Sequence, residues 1–451
     1  MTASFNARDG AVTALLSVQE QGGYSNIVLE ELLKGQTVNA ADRAYMTRLV
    51  YGVTERRLTI DYCLNKLSSM PVIKMDATIR EILRIGVYQL LFMDKTPDFA
   101  SVHESVELAR RRGYARLTGY VNAVLRAVQR EGESLLSALP SNDKGLELRT
   151  SCPRGWIRYW REAYGEVITN GILSTINEAP PSYIRVNTFV TTKQDLVDEL
   201  EKHGCTCVPV DGLPHALCVT GLSLSSLSDL PPSVRRGFYF QDAASQWCCA
   251  ALQAQPGERI ADVCASPGGK SFTVAQYMNG QGSIEASDIY PHKCDVIANR
   301  SKELGISCVQ TACRDASQTP PEEKREQFDR VICDVPCSGL GVIRRKPEIR
   351  YKSTDGFDEL PALQYRILSQ AAALVRPGGV LQYSTCTLRP EENEKVVEAF
   401  LQEHPQFIPR ILPIPLCFER MGDEPQHMIT LFPHIHHSDG FFIAGFTRLD
   451  S

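Results

Sequence analysis

Two cysteines close strand-like segments in the second half of the chain, Cys337 in DVPCSG and Cys386 in STCT, 49 residues apart. A lone cysteine is ordinarily a small buried hydrophobe. A separation of one strand-helix-strand crossover instead sets these two at the ends of neighbouring strands, roughly 5 Å apart. That is the carboxyl edge at which α/β sheets bind ligands. Two thiols there, one after proline and one after threonine, point to covalent chemistry through a thiolate. The spacing leaves open which of them attacks.

A second constellation comes earlier. The strand-like RIADVC contains Cys264 and runs into Ala265, Ser266, Pro267, Gly268, Gly269 and Lys270, where a helical stretch begins. A glycine turn between strand and helix exposes backbone N–H groups that suit a carboxylate or phosphate. It is not the GxGxxG fingerprint, so a dinucleotide is not directly indicated. Asp288 ends the next strand about 20 residues on, where an acid commonly receives ribose hydroxyls. Asp315 follows the third strand and Asp334 the fourth. Each aspartate alone is as good a loop or cap residue as a ligand, but carboxylates after three successive strands point to a nucleoside-bearing cofactor.

The elements that must position these residues alternate from Gly237 onward: RIADVC, a helix after Gly268, SIEASD, a helix through Ile297, SCVQT, FDRVICDV, a helix through Leu374, GGVLQYSTCT, a helix through Phe400, and GFFIAGF. Short apolar strands alternating with helices predict a parallel, doubly wound sheet. Before it, about Ser151 to Ser233, a helix around Trp156 and Trp160, the pair Pro180-Pro181, the strand YIRVN, a helix from Thr192 to about His203 and strands near Val208 and Leu217 predict a small α/β unit. The stretch 1–130 carries helical periodicity only, in Ala11, Ala14, Leu15 and Val18, in Ile79, Leu83 and Leu90, and in Val121, Val124, Leu125 and Val128. Ser101 with Glu104 reads as a capping box opening another helix that ends near Gly113. The polar stretch QREGESLLSALPSN, 129–142, reads as a linker. The divisions expected are 1–140, 150–235 and 236–451.

Composition limits what else the chain can be. Its 451 residues, 43% hydrophobic and 22% charged, are ordinary for a globular protein and exclude a disulfide miniprotein or a collagen-like chain. No apolar run reaches the ~18 residues of a membrane span, and MTASFNARDG lacks a signal-peptide pattern, so a cytoplasmic protein is expected. Fifteen cysteines, an odd number scattered from Cys63 to Cys417, lack the pairing of a disulfide framework or zinc ribbon. Cys205 with Cys207, Cys248 with Cys249, and the solvated loop His434, His436, His437 give no reason to expect a metal. The net charge is −5, yet the stretch 1–130 holds 17 Lys and Arg against 13 Asp and Glu. A polyanion would sense that part, with the run Arg110, Arg111, Arg112, Arg116 the focus unless it is only a solvated helix face. Arg344, Arg345, Lys346, Arg350 and Lys352, set against Glu348 alone, form a second basic segment suited to phosphates.

The set DVCASPGGK, SDIY, DVPCSGLGVIRRKPEIR, YSTCTLRPEENE and DGFFIA closely resembles the RNA cytosine-C5 methyltransferase family. The front end, with LRIGVYQLLFM, SVHESVELARR and GYVNAVLRAV, looks like a NusB-type RNA-binding domain, and the combination is similar to the bacterial RsmB/Sun group, which methylates cytosine in 16S ribosomal RNA. The resemblance implies an all-α NusB-like bundle, a small α/β RNA-binding appendage and a Rossmann-like class I methyltransferase sheet. It implies S-adenosylmethionine contacts at Cys264 through Lys270, Asp288, Asp315 and Asp334. It implies Cys386 as nucleophile, Cys337 as the cysteine that releases product, and Asp334 as a proton partner of the base. Ser266 stands where alanine is frequent in the family.

The implied chemistry has a physical reason. Cytosine C5 is too weak a nucleophile to accept a methyl group directly, whereas thiolate addition at C6 makes an enamine with an electron-rich C5. The atoms are unreachable in a stacked base, so the expected partner is an unpaired or flipped cytosine of 16S ribosomal RNA, met by a monomer without metal. The same reaction on transfer RNA is the nearest rival. An assembly factor that binds RNA without turnover would need neither cysteine, and DNA cytosine methylation would not require the second one in STCT.

Overall fold

The structure is a computed structural model that describes residues 5–21, 23–94, 97–222, 227, 230–414 and 426–450; Cys417 lies outside them. The chain divides into two units, one of Met1–Glu178 with Ile343–Ser353, the other of Ala179–Val342 with Thr354–Ser451.

In the first unit the helical periodicity yields α1 (Ala7–Gln21), α2 (Ser25–Leu33), α3 (Ala40–Glu55), α4 (Arg57–Leu67), α5 (Ala77–Phe92), α6 (Asp98–Arg111), α7 (Thr118–Ser137), α8 (Asp143–Thr150) and α9 (Arg154–Thr175), the last kinked at Gly165 with φ +79. Ala11, Ala14, Leu15, Ile79, Leu83, Val121, Val124, Leu125 and Val128 share one core. Asp76 caps α5 by accepting from the N–H groups of Thr78 and Ile79. Two expectations fail here. Helix α6 opens at Asp98 rather than Ser101, because the Pro97 carbonyl already accepts from the N–H groups of Ala100 and Ser101. Most of the stretch expected as a linker is helical, since α7 carries its apolar stripe on to Leu136, packed against the core.

The basic segment after Val342 is packed in part into the helical unit. Arg350 is 1% exposed; its guanidinium donates to the carbonyls of Ile176 (3.1 Å), Glu55 (3.3 Å) and Thr150 (3.4 Å) and to Asn177 Oδ1 (2.9 Å). Glu348 accepts from Ser25 N and Oγ, both 3.0 Å, and Lys346 and Lys352 lie over the Tyr24 ring. These cations are tied to protein carbonyls and an aromatic face because residues 343–353 build part of the helical unit. In the run on α6 the members also diverge. Arg112 bonds Asp9 and Thr13 of α1, Arg110 pairs with Glu107, and Arg111 and Arg116 are exposed.

Burial raises the Glu55 carboxyl to about 7 against the lowering pull of Arg350 and Arg56. Below about 4.5 it is protonated in both folded and unfolded chains. Between 4.5 and 7 the unfolded chain ionises first, so stability is lost as pH rises through that window. Glu55→Gln should remove up to about 3 kcal/mol of this pH dependence. Urea unfolding at pH 5 and pH 8 tests it, and an identical pH trend in both proteins would refute the assignment.

In the second unit a smaller antiparallel sheet, in the order β2-β3-β1-β4, is made by β1 (Tyr183–Val186), β2 (Thr206–Val210), β3 (Leu213–Thr220) and β4 (Phe238–Phe240), with α10 (Lys193–Lys202) and α11 (Pro232–Arg236). The larger sheet comprises β5 (Arg259–Asp262), β6 (Ser283–Asp288), β7 (Val309–Cys313), β8 (Phe328–Asp334), β9 (Val375–Thr385), β10 (Phe407–Pro409), β11 (Met428–Leu431) and β12 (Phe441–Arg448). Its order is β10-β12-β9-β8-β5-β6-β7, with β11 on β12. Helices α12 (Ala243–Leu252), α13 (Gly269–Tyr277), α14 (Pro291–Leu304), α15 (Leu360–Ala372), α16 (Glu394–Glu403) and α17 (Pro433–His436) accompany it. Strands β5 to β9 pair in parallel as expected, but β12 runs antiparallel to its neighbours β9, β10 and β11, so the sheet is mixed. The short return from β11 to β12 forces that direction, because a parallel neighbour would need a long crossover. The His434–His437 segment is a helical turn rather than a loop, with His436 Nδ1 accepting from Phe432 N.

Candidate active site

The parallel register brings the predicted residues to one edge. Asp334 on β8 pairs in register with Ser384 on β9, so the segments that follow, holding Cys337 and Cys386, leave the sheet side by side. Their Sγ atoms are 3.2 Å apart, and Ser338 Oγ and Thr387 Oγ1, one residue beyond each, are 2.7 Å apart. The hydrogen bond with Cys386 and burial, in that order, hold the Cys337 thiol far above the usual thiol range. Either sulfur can donate S–H to the other.

The segments approach closely behind the cysteines. Gly341 N donates to the Cys386 carbonyl (3.0 Å), Gly440 N donates to the Gly341 carbonyl (2.9 Å), and a Cβ at Gly341 would sit 1.9 Å from Gly440 O. No side chain fits there.

Asp334 is half-buried, with Oδ2 accepting from Lys270 Nζ at 2.6 Å and Oδ1 from Ser384 Oγ at 2.8 Å. Burial alone would lower the Lys270 ammonium, but Asp334 overrides it and keeps Lys270 strongly protonated. Both line a cleft of about 200 Å³ with Asp262, Cys264, Ala265, Ser266, Pro267 and Gly269. The glycine turn is built as the sequence required. Gly268 has φ +102, and a Cβ there would meet the Phe272 ring at 2.4 Å. The Ser266–Pro267 bond is cis.

The cleft fits a cofactor carrying a cationic amino group. Asp262 is buried, Oδ2 accepts from Ser271 Oγ at 2.7 Å, and Oδ1 has no hydrogen-bond partner among the described residues. Burial raises its carboxyl to about 6, against the lowering pull of Ser271 and Lys270. An ammonium placed there would supply the missing donor and charge.

Asp288 and Asp315 reach the same sheet edge but do not line this cleft. Asp288 Oδ1 accepts from Tyr290 N and lies 3.7 Å from Lys293, while Asp315 is engaged by Ser317 N and Oγ. Sequence reasoning missed Asp262 as a site residue, the Lys270–Asp334 ion pair, and Phe240, Gln241, Asp242 and Ser245, which form another wall. A buried acid at a strand end was the available signal for Asp262. Nothing in FYFQD marks that segment as part of a site centred on the later glycine turn.

Among the described residues no group of three or more His, Cys, Asp and Glu could hold a metal, and no helix is long and apolar enough to cross a membrane. Residues 249–447 match the family described as 16S rRNA methyltransferase RsmB/F, 5–130 the NusB family, and 152–223 a ferredoxin-like domain of RsmF/B-like methyltransferases. The chain is 33% identical to the probable ribosomal RNA small subunit methyltransferase B of Bacillus subtilis, over 98% of this chain and 99% of that protein. It is 32% identical to the protein of that name from Synechocystis, with the same coverage. The crystal structure of PH0851 superposes with a TM-score of 0.81 at 25% identity, covering 99% of this chain and 100% of that one. With paired thiols and an Asp–Lys pair beside a glycine-turn cleft, and relatives matching from end to end, this chain belongs to the RsmB/F family of 16S rRNA methyltransferases.

Proposed function

We propose that the chain transfers a methyl group from S-adenosylmethionine to C5 of a specific cytosine in 16S ribosomal RNA, through a covalent bond between Cys386 Sγ and cytosine C6. The observation that carries this reading is the pair of Sγ atoms 3.2 Å apart beside the Lys270–Asp334 ion pair. The target is an unpaired or flipped base, met by a monomer whose helical unit grips the RNA.

Cys386 adds to C6 as the thiolate, and the C5=C6 π electrons move into the ring. Asp334 shares a proton with cytosine N3 and spreads the charge that develops, with Lys270 and Ser384 holding its carboxylate in place. S-adenosylmethionine, when bound, supplies an electrophilic methyl group. Cys337, as the thiolate, takes the C5 proton, and the electrons of that C–H bond restore C5=C6 as the Cys386–C6 bond breaks and its sulfur leaves as the thiolate. Asp262 accepts the cofactor's amino group and Asp288 its ribose hydroxyls.

Mapping 5-methylcytosine in total RNA from a strain lacking the gene tests the substrate. One mark in 16S ribosomal RNA should vanish and return on complementation. A mark lost from transfer RNA, with ribosomal RNA unchanged, would overturn the assignment. Asp288→Ala should weaken S-adenosylmethionine binding by ~1.5–3 kcal/mol while the fold survives. Unchanged affinity by calorimetry would remove Asp288 from the site.

A further inference from the structure

Two consecutive residues of the RPEENE segment, Glu392 and Asn393, are each 0% exposed, and neither lines the cofactor cleft. Burying a carboxylate and an amide side by side is unfavourable unless every polar atom finds a partner, and Ser338, Thr385 and Thr387 among the partners found here directly flank the two cysteines.

Glu392 Oε2 accepts from the backbone N–H of Ser338 (2.9 Å) and from Gln364 Nε2 (2.8 Å), while Oε1 accepts from Arg389 Nη1 (3.2 Å). Gln364 Nε2 also donates to the Pro336 carbonyl (2.9 Å). The peptide groups before and after Cys337 are thus gripped by one Glu392–Gln364 clamp. Asn393 does the same for Cys386. Its Oδ1 accepts from Thr385 Oγ1 (2.6 Å), and its Nδ2 donates to the Thr387 carbonyl (3.0 Å). The Tyr383 hydroxyl donates to the Glu392 carbonyl (2.6 Å), fixing the clamp to β9.

We propose that Glu392 and Asn393 are positioning residues that set the separation of the two thiols, Glu392 holding the Cys337 segment and Asn393 the Cys386 segment. Neither touches a reacting atom; Glu392 acts through backbone on either side of Cys337, and Asn393 through the Thr385 hydroxyl and the Thr387 carbonyl on either side of Cys386. Because the residues are adjacent in sequence, the two segments share one rigid reference. Loosening each segment separately should impair a different half of the reaction. That kinetic consequence rests on the function proposed above, whereas the control of thiol separation does not.

The test uses full-length Glu392→Gln and Asn393→Asp, which preserve side-chain volume, with Gln364→Leu and Thr385→Val removing the same anchors from their other ends should either first variant fail to fold. In RNA-free protein, a diazene oxidant takes up both thiol hydrogens, and mass spectrometry follows the cross-linked Cys337–Cys386 peptides. Cross-linking should slow at least tenfold in the variants relative to the parent. An unchanged rate in folded variants would overturn the proposal. With 16S RNA and S-adenosylmethionine, the Glu392 and Gln364 variants should accumulate a denaturant-resistant adduct, while the Asn393 and Thr385 variants should lose kcat at least tenfold without adduct and with KM for S-adenosylmethionine within twofold. Slower cross-linking with the same adduct behaviour in all variants would support the clamp and overturn the assignment of the two cysteines. A merely structural role predicts loss of folded protein with no such split.

Discussion

Cys337→Ala is expected to turn a catalyst that releases its product into one that accumulates a denaturant-resistant protein–RNA adduct, whereas Cys386→Ala should lose turnover and adduct together. The two thiols sit 3.2 Å apart, so location alone does not assign their roles. Either sulfur can donate S–H to the other, so the assignment follows the function proposed above, with Cys386 attacking as the thiolate. Thiolate attack and methyl transfer then proceed without Cys337, and only the step that expels the C5 proton suffers. Loss of the nucleophile should lower turnover by several orders of magnitude, as for a member of a catalytic unit. Denaturing gels with substrate RNA and S-adenosylmethionine read both variants at once. Adduct in Cys386→Ala and none in Cys337→Ala would return the nucleophile to the proline-cysteine motif.

The largest stability effect is expected in the helical unit, at Arg350. Its guanidinium supplies donors to three carbonyls and one side-chain amide oxygen in the helical unit. Arg350→Ala removes a charged donor from all four acceptors, although the Thr150 carbonyl keeps Asn177 Nδ2 (2.7 Å) and the Glu55 carbonyl the Tyr351 hydroxyl (3.5 Å), and it opens space where a large buried side chain stood, at a cost of ~3–5 kcal/mol, in the range for breaking a buried charged network. Arg350→Lys should recover only part of this, because a point-charge ammonium cannot reproduce the fork. Urea unfolding of the full chain measures both. A loss below about 1 kcal/mol in Arg350→Ala would show that the carbonyls find other donors.

The catalytic edge is legible in the sequence because strand ends are written locally. An apolar run followed by Asp334 or Ser384 ends a strand whatever surrounds it, and the stretch from Cys337 to Cys386 is long enough for one crossover and too short for two. The same local character makes the apolar stripes of α1, α5 and α7 readable. Decisions taken at a distance are hidden. Ser101 reads as a cap until Pro97 supplies its carbonyl, and the GFFIAGF strand does not reveal its direction until β11 turns back beside it. The charge of the stretch from Arg344 to Lys352 is visible in the sequence, whereas the carbonyls of Glu55, Thr150 and Ile176 that take up Arg350 are not. Glu392 and Asn393 appear as two polar letters in an exposed-looking run, and their burial follows only from the meeting of β8, β9 and α15.

The segment 343–353 changes what kind of object this chain is to evolution. Since those residues belong with the helical unit while their flanks belong with the catalytic one, the polypeptide passes between the units three times, after Glu178, after Val342 and after Ser353. A fusion of two genes end to end needs one junction. Exchanging this front end for another would need a matched replacement of residues 343–353 inside the catalytic gene, or Arg350 and Glu348 would be left without partners. Recombination at the amino-terminal boundary alone is therefore disfavoured, and the two halves should be inherited as a single unit.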